Sequence, residues 1–185
     1  MLFEILDKRF DDATIDKLYG YFRDGKSWKF IGGVFNKKDS PYRKFQYDLD
    51  PLDEIDKIIF DESDKIIKEK VSNHKEFKVD NAYASGNVFG TINEVHQDNG
   101  ARSAEEVITV MFYLNKIWNL SYGGETIFLS PNWSEIMFSV TPKPGRAIIF
   151  DGSIPHGARE ISRTCAELRM VATVKYKNII KFSKN

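Results

Sequence analysis

From Phe77 to Tyr176 the chain drops any helical period and falls into short runs rich in β-branched and aromatic residues, several of them closed by Gly, Pro, Asn or Ser. Runs of that kind are strands separated by turns. Strands are expected at 77–84, 87–97, 107–114, 125–129, 135–140, 146–150, 157–161 and 168–176. So many short antiparallel strands can bury their apolar sides only as a sandwich or a barrel.

The first third reads differently. Ile15, Leu18, Tyr19 and Phe22 recur at helical spacing over residues 11–25, with Gly25 as the stop. A strand is expected over Trp28–Phe35, where Gly32-Gly33 suggests a bulge, then a loop over 36–42 and another short strand over Lys44–Leu49. Asp50-Pro51 predicts a helix start, an acid at the cap followed by proline at the first helical position. Leu52, Ile55, Ile59 and Ile66 mark its buried face as far as Val71, with a break near Asp61-Glu62-Ser63. These helices should brace one sheet from outside. No repeat, low-complexity stretch or linker intervenes, so one domain of mainly β (α+β) class is expected over 1–185, with 1–76 as support and 77–177 as the core.

Lys+Arg and Asp+Glu number 27 each, so the overall charge advertises neither nucleic acid nor an anionic membrane as partner. The first residues, Met1-Leu2-Phe3-Glu4, do not form a basic region followed by an apolar run, and no stretch approaches the ~18 apolar residues of a membrane span. A cytoplasmic protein is the expectation. The lone Cys165 cannot close an internal disulfide and lacks a setting that would activate a thiol. His74 reads as a surface residue, and Lys175, Lys177, Lys181 and Lys184 as a solvated basic tail.

Chemistry gathers at Val95-His96-Gln97-Asp98-Asn99. Side chains two apart on an extended segment point the same way, so His96 and Asp98 share a face. A second imidazole from a neighbouring strand, with His156 in Pro155-His156-Gly157 the candidate, would complete two histidines and a carboxylate around a metal and leave its opposite face open. The tripeptide alone is equally a hydrogen-bonded pair at a strand end, and zinc accepts the same donors.

The order of the surrounding pieces is more specific. Asn81-Ala82-Tyr83-Ala84-Ser85-Gly86 precedes the histidine. Tyr113-Leu114-Asn115, Gly123-Gly124-Glu125-Thr126, Pro142 to Phe150, His156 and Arg169 follow. This series, over about residues 78–177, resembles the Fe(II)- and 2-oxoglutarate-dependent dioxygenases, particularly the prolyl 4-hydroxylase-like branch. The resemblance implies a double-stranded β-helix, or jelly roll, with His96, Asp98 and His156 holding Fe(II). It also implies 2-oxoglutarate and O2 as co-substrates, ascorbate as an accessory reductant, and hydroxylation of a C–H bond with release of succinate and CO2. A prolyl residue in a peptide or protein would be the first substrate to try, with small molecules also open.

Arg169 is the candidate for the far carboxylate of 2-oxoglutarate, since a guanidinium offers a planar, bidentate fork. Thr173, four residues on, shares its strand face. Arg159 and Arg163 are rivals closer to His156. By the resemblance, Tyr83, Tyr113 and Thr126 line the co-substrate pocket. Loops after Asp98 and Asn115 would flank the metal, placing Arg102, Trp118 and Tyr122 near a substrate. A non-catalytic jelly-roll binding module and a zinc-dependent hydrolase on a similar barrel are the competing readings.

Overall fold

The computed structural model describes residues 2–32, 43–91, 93–99 and 106–178. Among the described residues ten strands form two antiparallel sheets. They are β1 (Phe3–Leu6), β2 (Lys29–Gly32), β3 (Arg43–Asp48), β4 (Phe77–Asn87), β5 (Val107–Tyr113), β6 (Thr126–Leu129), β7 (Ile136–Val140), β8 (Ala147–Asp151), β9 (His156–Ala158) and β10 (Arg169–Asn178). The larger sheet runs β1-β8-β5-β10-β4-β3-β2 and the smaller β7-β6-β9. This is the jelly roll expected.

Alternation along the central strands sorts the interior into two layers. Ile108, Val110 and Phe112 of β5, Ala147 and Ile149 of β8, and Met170, Ala172, Val174 and Tyr176 of β10 pack with the helices. Met111, Tyr113, Ile148, Phe150 and Val171 point the other way and meet Phe128 of β6 between the sheets. Two helices of the described residues cover the outer layer. Helix α1 (Asp12–Asp24) is capped by Asp11, whose carboxylate accepts the Thr14 N–H at 2.8 Å, and buries Leu18 and Phe22. Helix α2 (Asp56–Lys70) buries Ile59, Ile66 and Ile67.

Several expectations need correction. Helix α2 begins six residues after Asp50, because Asp50 and Asp53 spend their carboxylates on turns: Asp50 accepts the Leu52 N–H at 2.9 Å, and Asp53 those of Ile55 at 2.9 Å and Asp56 at 3.1 Å. Leu52 is consequently 90% exposed. The helix runs unbroken past Ser63, whose hydroxyl lies 2.9 Å from Tyr176 Oη. The strand expected over 87–97 is absent from the described residues there. After Asn87 the chain turns, with Gly90 at φ +78° and Thr91 Oγ1 accepting the Val88 N–H at 2.9 Å. The run at 157–161 is a shorter strand, β9, with Ile161 bridging Gly123. The pairing of β1 with β8 gave no period in four residues.

Candidate metal centre

His96 and His156 meet in an isolated antiparallel bridge, each backbone N–H donating to the other's carbonyl at 2.9 Å. Their ring centroids stand 4.6 Å apart. Asp98 N–H donates to Gly152 O at 2.8 Å, which sets the carboxylate beside them. Gly157 permits this crossing, since a Cβ there would lie 3.2 Å from Glu94 O and from Val95 Cα.

Hydrogen bonds fix the tautomers. His96 Nδ1 lies 3.0 Å from Glu94 O and His156 Nδ1 lies 2.9 Å from Ile154 O. A carbonyl only accepts, so each Nδ1 carries the proton and each Nε2 turns a lone pair to the site. The Nε2 atoms lie 3.5 Å from Asp98 Oδ1 (His96) and 3.6 Å from Asp98 Oδ2 (His156). The three ligand atoms lie within 4.8 Å of one another. Burial pushes the His156 imidazole down to about 4 in spite of Asp98, so it stays neutral near pH 7. Burial alone would raise the Asp98 carboxyl, but His96, His156 and Lys175 hold it below the usual carboxylate range.

The residues suit a metal ion. Asp98 is 1% exposed, Thr109 donates to its Oδ2 at 2.6 Å, and Lys175 Nζ lies 2.6 Å from its Oδ1. These contacts keep the buried carboxylate ionised and oriented toward both imidazoles. Two neutral imidazoles and one carboxylate on one side fit Fe(II) with positions left over for other ligands.

A second charged feature lies deeper. Arg169 is 2% exposed, and its hydrogen bonds go to neutral oxygens, Gly124 O at 2.6 Å and Thr126 Oγ1 at 2.9 Å. Among the described residues no carboxylate forms an ion pair with it. Burial opposes its charge, with Tyr113 and Glu125 offsetting part of that. Gly124, at φ +72°, makes the room, since a Cβ there would stand 2.9 Å from Arg169 Cδ.

One cavity joins the two features. Tyr83, Thr126, Arg169 and Thr173 line it together with His96, Asp98 and His156. Tyr113 sits behind this wall, its hydroxyl bonded to Thr126 Oγ1 at 2.7 Å and donating to Val140 O at 3.0 Å, with Arg169 over its ring at 5.5 Å. Arg159 and Arg163 are exposed on the surface. Trp118 and Tyr122 are absent from the cavity wall; they stack edge-on at 5.5 Å, and the Trp118 indole donates to Gly123 O at 2.9 Å, bracing the turn that holds Arg169. Arg102, Lys181 and Lys184 lie outside the described residues.

Lys175 is no tail residue, with its side chain 16% exposed. The signal was parity, because Arg169, Val171, Thr173 and Lys175 all fall on one side of a strand. Lys44, also unanticipated, lines the cavity from β3.

A jelly roll with two histidines and an aspartate converging beside a buried cation defines a mononuclear-metal enzyme scaffold. The sequence model of the 2OG-Fe(II) oxygenase superfamily matches residues 81–176, and the chain belongs to that family, which implies Fe(II), 2-oxoglutarate and O2. No curated protein matches by sequence. Solved structures agree on the fold. A Trichoplax adhaerens prolyl hydroxylase, in complex with a hypoxia inducible factor peptide, is 18% identical with a TM-score of 0.70, over 95% of this chain and 83% of that one. A Pseudomonas putida prolyl-4-hydroxylase is 14% identical with a TM-score of 0.71, over 95% and 91%. The viral collagen prolyl hydroxylase of Paramecium Bursaria Chlorella virus-1, as its 2OG complex, is 15% identical with a TM-score of 0.63, over 96% of each. No helix of the described residues is long and apolar enough to cross a membrane.

Proposed function

We propose that His96, Asp98 and His156 hold Fe(II), that Arg169, positioned by Thr126, and Thr173 receive the far carboxylate of 2-oxoglutarate, and that the chain hydroxylates a C–H bond of a prolyl residue in a peptide or protein. The metal supplies dioxygen activation; decarboxylation of 2-oxoglutarate to succinate and CO2 accompanies transfer of one oxygen atom to the substrate carbon. The protein's own part is placement. The Glu94 and Ile154 carbonyls fix both imidazoles, Thr109 orients Asp98, and Tyr83 walls the cavity.

Arg169 carries the reading. A fully buried guanidinium without a carboxylate partner is unfavourable unless a ligand supplies one, and its planar fork matches a carboxylate. A zinc hydrolase or a binding module that had lost turnover would have no use for such a cation beside an intact triad. The test is succinate formation from 2-oxoglutarate by Fe(II)-loaded protein with ascorbate, with a proline-containing peptide as substrate. Succinate should form with the unaltered chain and not with His96→Ala; equal turnover by both would refute the ligand assignment.

A further inference from the structure

Two residues on adjacent strands hold the two oxygens of Asp98. Thr109 of β5 and Lys175 of β10 are paired directly across the sheet, so their side chains leave it on the same face. Thr109 Oγ1 donates to Asp98 Oδ2 at 2.6 Å, and Lys175 Nζ lies 2.6 Å from Oδ1. One donor is neutral and the other carries a full charge.

Aiming the carboxylate needs no charge. The Asp98 backbone is already fixed by its N–H on Gly152 O at 2.8 Å, and Thr109 sets the rotation of the side chain. A neutral donor opposite Oδ1 would complete that support, since a ligating carboxylate asks only to be hydrogen-bonded. An ammonium does something more: it balances the charge of the carboxylate. The Asp98 side chain is 1% exposed and that of Lys175 16%, so water screens the pair poorly. The same ammonium repels a divalent cation, which would have to share Asp98 with it.

We propose that Lys175 is a positioning residue that acts through Asp98 as an internal counter-ion in competition with the metal: it stabilises the chain when no metal is bound and lowers the affinity for a metal ion. The proposal rests on the ligand assignment of the oxygenase reading and adds a limit on how tightly that site holds its ion. By linkage the two effects are one quantity. The stability that Lys175 gives the metal-free chain, beyond what it gives the loaded chain, equals the binding free energy it removes. A lysine that only braced Asp98 or filled space would act with the opposite sign, and its loss would weaken the metal.

The test is Lys175→Met, which keeps the aliphatic stem and removes the ammonium. Mn(II) alone is titrated into the whole chain, with free Mn(II) read by electron paramagnetic resonance; leaving out 2-oxoglutarate keeps any role of Lys175 toward the co-substrate out of the result. Lys175→Met should bind Mn(II) roughly tenfold or more tightly than the unaltered chain. After chelation its thermal midpoint should fall by about 5 °C or more, as expected of a buried charge that has lost its partner. Saturating Mn(II) should recover most of that loss. Lys175→Gln, which keeps a donor without the charge, should also tighten Mn(II) binding; it carries the test if near-ultraviolet circular dichroism shows the methionine variant unfolded. Unchanged Mn(II) affinity in the folded variants overturns the proposal, as does a metal-free midpoint that does not move. So does weaker Mn(II) binding in parallel with Thr109→Val, since the lysine would then be a brace. Failure of the ligand assignment gives a different result: Mn(II) binding by the unaltered chain would be indifferent to His156→Ala.

Discussion

Arg169 and Tyr113 are linked through a single oxygen. Arg169 Nη2 donates to Thr126 Oγ1 at 2.9 Å, and the Tyr113 hydroxyl lies 2.7 Å from the same atom. Tyr113 spends its one proton on Val140 O at 3.0 Å, so the Thr126 hydroxyl must donate to Tyr113. The chain of donors has one direction, from the guanidinium to a backbone carbonyl. Thr126→Val should cut it, and since hydrogen bonds to charged groups contribute about 1.5–3 kcal/mol, the 2-oxoglutarate requirement should rise roughly tenfold or more. Titration of the co-substrate checks this, and metal affinity should not move.

Gly124→Ala tests the room behind Arg169. The new Cβ would stand 2.9 Å from Arg169 Cδ at a residue with φ +72°. Strain of this kind costs on the order of 1–3 kcal/mol, and the displaced guanidinium should weaken 2-oxoglutarate binding as well. Thermal unfolding and co-substrate titration should therefore change together; a loss of stability alone would mean that Arg169 tolerates the shift.

His156→Ala should weaken binding of a divalent metal by roughly a hundredfold or more, because loss of an outer-sphere partner alone costs 10- to 100-fold. Metal binding to oxygen-free protein measures it directly. Phe150 and Phe128 pack against the His156 ring at 4.6 and 5.9 Å, so near-ultraviolet circular dichroism should confirm that the pocket stays folded.

Asp7 ties the start of the chain to the turn before β8. Arg146 donates to it at 2.6 and 3.1 Å and Lys143 at 3.1 Å. Arg146 above all, with Lys143, holds the Asp7 carboxyl down at about 2. A depressed carboxyl stabilises the fold above its unfolded value near ~4 and loses that contribution as pH falls toward the folded value. Solvent screening leaves about 1 kcal/mol. Asp7→Asn should cost that much at pH 7, and the difference from the unaltered chain should vanish between about pH 4 and pH 2 in denaturant titrations.

Strand alternation and turn residues made the jelly roll legible, and the order of motifs made His96, Asp98, His156 and Arg169 legible. Local chemistry hid the rest. Asp50-Pro51 has the composition of a helix start, yet the carboxylates of Asp50 and Asp53 satisfy turn amides first. Val88 and Phe89 look like strand residues but are exposed beside the turn at Gly90. Lys175 resembled its basic neighbours in the tail, and only its pairing with Asp98, 77 positions earlier in the chain, distinguishes it. Lys44 carried no signal, since an inward lysine and a solvated one look alike in a short polar strand.

In β10 the inward positions hold Arg169, Val171, Thr173 and Lys175, while the alternate ones are helix-facing core. One inserted residue ahead of Arg169 would drive both cations toward the helices and present Met170 and Val174 to the cavity. Ladder bonds to β4 and β5 along both edges resist such slippage. Alignment of the sheet is thus itself a determinant of chemistry, and an insertion there should abolish turnover without touching a metal ligand.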